Sequence, residues 1–64
     1  MILSKYYITL KIGVPNYNDA LYKGPMPEGM VPKCYDNYFE AYVDADRINR
    51  HTGFVMRVIK LGNN

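Results

Sequence analysis

The chain has 64 residues, six acidic and eight basic side chains, a net charge of +2 and a single cysteine. That is enough for one domain with a small core, since a chain of this size buries only about 60% of its unfolded surface. A charge of +2 is too small to imply a nucleic-acid binder, and an apolar content of 48% argues against disorder. Cys34 cannot form an internal disulfide, which points to a reducing compartment. There is no apolar run of the ~18 residues that a membrane span needs. The start, Met-Ile-Leu-Ser-Lys, lacks the basic and long apolar regions of an export signal. A cytoplasmic protein with no membrane attachment is expected.

Ser4 to Val14 alternates with period two, which predicts a strand with one buried face. Tyr6, Ile8, Leu10, Ile12 and Val14 fall on one side. Lys5, Tyr7, Thr9 and Lys11 fall on the other. The loop 15–32 follows, broken by prolines at 15, 25, 27 and 32 and glycines at 24 and 29. Within it, Asn18 to Gly24 suits one helical turn, and Pro27-Glu28-Gly29 suits a tight turn flanked by Met26 and Met30. A loop this long in so small a domain is either a binding element or a flap over the core. Met26 and Met30 are its candidate contact residues. Val31 to Tyr35 then reads as a short edge strand.

Tyr38 to Arg50 is predicted to be a helix. Asn37 suits the N-cap, Glu40 suits the first turn, Arg47, Arg50 and His51 suit the last turns, and Gly53 suits the stop. At 100° per residue, Ala41, Ala45 and Ile48 form one line, flanked by Tyr38, that can approach a sheet closely. Glu40, Asp44, Arg47 and His51 make the solvent stripe. Phe39 and Val43 point away from the alanine line, with Tyr42 between, so the apolar arc is wider than one sheet can cover. Phe54 to Leu61 reads as the last strand. Phe54, Met56 and Val58 face the helix there, and Val55, Arg57, Ile59 and Leu61 face away.

The resulting expectation is a single α+β domain over residues 1–64. Its order is strand, long loop, strand, helix, strand, with a mixed three-stranded sheet of order 2-1-3 and the helix on one face. No Walker-type or dinucleotide-type glycine loop is present. His51 lacks a second ligand at metal spacing, Asp44 and Asp46 do not share a helix face, and Cys34 has His51 as its only possible imidazole partner with no third group to orient it. The expectation is therefore a non-enzymatic protein with no cofactor and no metal.

Two surfaces remain. Phe39, Tyr42, Val43, Val55, Ile59 and Leu61 are surplus apolar residues, which predicts a homo-oligomer, a dimer first. Tyr7, Lys11 and Arg57, with Lys5, Thr9 and either Lys33 or Tyr35, would share the outer sheet face. Tyrosines beside cations can stack bases and neutralise phosphates. The seven tyrosines also suit a small, half-wet core and protein interfaces. The aliphatic residues on the same face favour protein contact over nucleotide or nucleic acid.

From Tyr35 to Val58 the chain resembles a β-α-β module of small, mostly uncharacterised phage and bacterial accessory proteins. The similar residues are Tyr35-Asp36-Asn37-Tyr38, Glu40-Ala41, Ala45, Arg47-Ile48-Asn49-Arg50, Thr52-Gly53 and Arg57-Val58. Phe39 and Val43 depart from the pattern, which has polar or small residues there. The resemblance implies a fold, and by analogy an anti-defence role that works by binding a host protein or by sequestering a nucleotide signal.

Overall fold

A computed structural model describes residues 4–10 and 20–62. It shows β1 (Ser4–Thr9), β2 (Cys34–Tyr35), α1 (Tyr38–Thr52) and β3 (Arg57–Gly62). The sheet has the expected order β2-β1-β3 with the helix packed on it. Both ladders are antiparallel. The sheet is mixed only in that the outer strands, which do not touch, run the same way. The expected continuation of the first strand to Val14, with Lys11, lies outside the described residues, as does Asn18-Asp19 of the expected helical turn. Of the rest of that turn, Ala20 is helical and residues 21–24 are not.

The helix forms where its caps permit. Asn37 has extended backbone, and its side-chain oxygen accepts from the N–H groups of Phe39 at 2.7 Å and Glu40 at 3.2 Å. Gly53 ends the helix with φ of 83°, a left-handed conformation that glycine adopts without strain, and donates to the Asn49 carbonyl at 2.7 Å. Asp46 and Arg50 bridge one turn at 2.9 Å. Replacing Asn37 with Ala should cost about 1 kcal/mol, because two first-turn donors lose their acceptor. A urea titration reads this directly, and an unmoved midpoint would mean that the cap does not hold the helix.

The core lies between α1 and one sheet face. Ala41, Ala45 and Ile48 are buried along the predicted line, against Ile8, Tyr22 and Tyr35. Tyr6, Met56 and Val58 pack at its margin. Opposed residues of an antiparallel ladder share a face. Tyr6 opposes both Tyr35 and Lys60, and Ile8 opposes Val58, so these residues look toward the helix.

Four placements correct the sequence reading. Tyr35, a candidate for the outer face, is buried under the helix because it opposes Tyr6. Asp44, assigned to solvent, has only 19% of its side chain exposed and accepts from the Tyr35 hydroxyl at 2.6 Å. Phe54 does not face the core, because β3 begins only at Arg57. It is held in the connection and exposed, donating from its N–H to Thr52 Oγ1 and accepting from Asn49 Nδ2. Leu10 sits at a bend after β1 and is also exposed.

The loop is a core cover. The Tyr22 N–H donates to the Ile8 carbonyl at 2.9 Å, on the stretch of β1 that the two-residue β2 leaves unpaired. The predicted turn is present: the Met30 N–H donates to the Pro27 carbonyl at 3.1 Å, with Gly29 at φ of 89°. This turn folds Met26 and Met30 inward, and both pack partly buried against the core. Of the two roles the sequence left open for this loop, that of a flap over the core is thus the one their packing displays.

Candidate functional site

Residues on two neighbouring elements at the margin of the core shape an open groove. Along α1, Tyr38, Tyr42, Ala45 and Asn49 recur at helical spacing beside the buried alanine line, and Ala45 belongs to both. The connection into β3 runs past them through Val55, Met56 and Arg57. The groove between has a volume of about 510 Å³ and also takes in Asp46 and Val58. That lies within the roughly 300–1,000 Å³ range of ligand sites. Its wall is aromatic: Tyr38 and Tyr42 stack at 6.3 Å between ring centroids, and Tyr6 meets Tyr38 edge-on at 5.9 Å. Val55 at its rim is 69% exposed.

The apolar residues nominated from sequence divide among three places. Tyr42 and Val55 line the groove. Phe39 and Val43 are exposed on the helix but do not line it. Ile59 and Leu61 point to the opposite sheet face and are partly buried. Phe39 and Val43 thus stay uncovered, as their position off the alanine line requires.

The β1/β3 register sets Lys5, Tyr7, Thr9 and Arg57 on the sheet face away from the helix, as expected, but the middle of that face is buried. Tyr7 is only 6% exposed and Thr9 is buried as well, outside the cluster under the helix. The Tyr7 ring is thus not open to stack on a base. The Lys5 ammonium is bonded to Asp36, and that carboxylate holds its pKa above the ordinary lysine value. Lys33 lies 5.1 Å from the centre of the Tyr35 ring. Arg57 is exposed and borders the groove. Lys11 is outside the described residues. Among the described residues, no group of three or more His, Cys, Asp or Glu could hold a metal ion, and no helix is long and apolar enough to cross a membrane.

Tyr38, Asp46, Asn49 and Met56 were not nominated from sequence as site residues. For Tyr38 and Asn49 the signal was the spacing 38, 42, 45, 49, which also describes an ordinary core flank. It becomes a groove wall because β3 is the outermost strand on that side among the described residues and the connection into it runs past the helix.

The phenol of Tyr35 is pushed well above its ordinary pKa of 10.0, by burial first and then by its hydrogen bond to Asp44. The folded state therefore binds this proton more tightly than the unfolded chain does. The stabilisation is complete below pH 10 and is lost as the pH rises beyond it. Denaturant midpoints should fall across that alkaline range in the parent. The fall should be shallower in Tyr35→Phe, which has no proton to lose there. Parallel curves would mean that the hydroxyl is not buried.

No protein-family description, curated protein or solved structure matches this chain.

Proposed function

We propose that this chain is a non-catalytic protein-binding module whose recognition surface is the groove between α1 and β3. The supporting observation is convergence: Tyr38, Tyr42 and Val55, all large and exposed, meet on one concave feature. Scattered exposed apolar residues need no explanation, but a concave aromatic cluster marks an interaction site. Tyrosine suits such a site because it offers a rigid apolar body and a polar tip. The mixed lining fits a peptide segment, with Asp46, Asn49 and Arg57 available for its polar groups. In the phage-type setting that the Tyr35–Val58 resemblance implies, the partner is a host protein and the role is to block a defence component.

Panning a random-peptide library against the immobilised protein tests the reading. Recovered peptides should be apolar or aromatic and should bind the parent in solution. Tyr42→Glu should weaken them at least tenfold, whereas Glu28→Lys, on the exposed turn, should not. If no peptides are recovered, or if they ignore Tyr42→Glu, the reading falls.

A further inference from the structure

The two edges of the sheet are unlike. The β2 edge is two residues long, Pro32 lies just before it, and the Tyr22 backbone takes up the neighbouring stretch of β1. Short strands, prolines and covering loops are the usual ways of blunting an edge. On the other side β3 runs for six residues without proline, and among the described residues it pairs only with β1. Its outer edge presents a row of backbone donors and acceptors. It lies beside the aromatic groove, so apolar surface and an edge left unpaired among the described residues coincide.

We infer that a second copy of this chain covers that edge, with β3 pairing antiparallel to its own copy about a two-fold axis through Ile59. The inference rests on reading the α1/β3 border as an interaction surface. An antiparallel strand is its own complement, since the same groups meet after a half-turn. The axis must stand perpendicular to the sheet, so facing residues lie on the same face and the residue on the axis meets itself. Two registers give the longest overlap within Arg57–Gly62, centred on Ile59 or on Lys60. Centring on Lys60 sets two ammonium groups directly opposite, which is unfavourable. Centring on Ile59 sets Ile59 against itself, Arg57 against the other copy's Leu61, and Val58 against the other copy's Lys60.

That register also suits the residues on the helix side. Lys60 lies on the helix side of the sheet, as does Val58 at the groove floor. The Lys60 stem of each copy thus covers the other's Val58, and its ammonium group stays at the exposed rim of the groove. The product is a six-stranded sheet with both helices on one face and the two grooves flanking the axis.

The test is mass by light scattering on a sizing column at tens of micromolar, together with cross-linking. The parent should run at twice the 7.4 kDa of one chain. Ile59→Lys should run at the single-chain mass with its helical circular dichroism intact. In case that variant fails to fold, Ile59→Cys in a Cys34→Ser background provides a second reading. It should form an intermolecular disulfide under mild oxidation, because only the residue on the axis meets itself. A parent of single-chain mass, or a dimer in which Ile59→Cys stays uncrosslinked, overturns the inference. A single-chain parent that still binds library peptides through Tyr42 overturns the dimer and leaves the groove reading standing. A cross-linked dimer that recovers no peptide does the reverse.

Discussion

Ile48→Ala should abolish the cooperative fold, or come close to it. Ile48 is fully buried and is the largest side chain to be so among the described residues. It sits where the helix meets the Ile8 and Tyr35 cluster. Truncating a buried isoleucine to alanine costs about 2–5 kcal/mol, from lost transfer energy and the cavity left behind. A core in a chain this short rarely supplies more than about 3–5 kcal/mol in total. The two figures overlap, so the expected outcome is loss of dispersed methyl signals in the proton NMR spectrum and a broad, weakened thermal transition. A variant that melts within a few degrees of the parent would mean that this interior is not the source of stability.

Gly24→Ala should be the next most damaging single change among those considered, although it adds one methyl group in a loop. A Cβ built on Gly24 would lie 2.5 Å from the Tyr22 hydroxyl oxygen and 2.7 Å from the ring carbon that bears it. The ring cannot simply step aside. It belongs to the buried cluster, and its hydroxyl donates to the Pro25 carbonyl at 3.0 Å. Forcing a methyl group into such a contact costs roughly 1–3 kcal/mol. The double variant Gly24→Ala with Tyr22→Phe separates the causes. It removes the hydroxyl but leaves two ring carbons at 2.7 and 2.9 Å, so denaturant titration should show only partial recovery. Full recovery would assign the whole effect to the hydroxyl, and no effect in the single variant would mean that the loop does not pack as described.

The helix was legible because its signals are local. The Asn37 cap, the alanine line and the Gly53 stop each lie within a few residues of what they control. The sheet order was legible because a strand, a helix and a strand in succession leave the first strand only the central place. The outer sheet face was misread because alternation assigns residues to a side without saying whether that side is covered. Tyr7 fell on the predicted side and is nonetheless buried. Tyr35 was misplaced because two residues of strand carry no phase of their own, and its face is set by the distant Tyr6. The methionines were ambiguous in principle, since their flexible thioethers suit a core filler and a contact surface equally. The groove needed knowledge of which strand is the edge and where it starts, and Arg57 as the first residue of β3 is fixed by pairing with Thr9 rather than by anything near it.

The pairing of β1 with β3 joins Ser4 to Gly62 and Thr9 to Arg57. Every rung of that ladder thus spans most of the chain, and the central strand has little to pair with until its last partner exists. During synthesis β1 leaves the ribosome long before β3, while α1 has its caps in hand as soon as Gly53 emerges. The expected sequence of events is a transient helix first and the sheet last, because long-range pairing bears the loop-closure entropy before its contacts form. Until β3 arrives, the β1 edge is open to any extended segment nearby, including the β1 of a neighbouring nascent chain. Slow release of residues 57–62 would therefore lengthen exposure to misassembly without altering the finished fold.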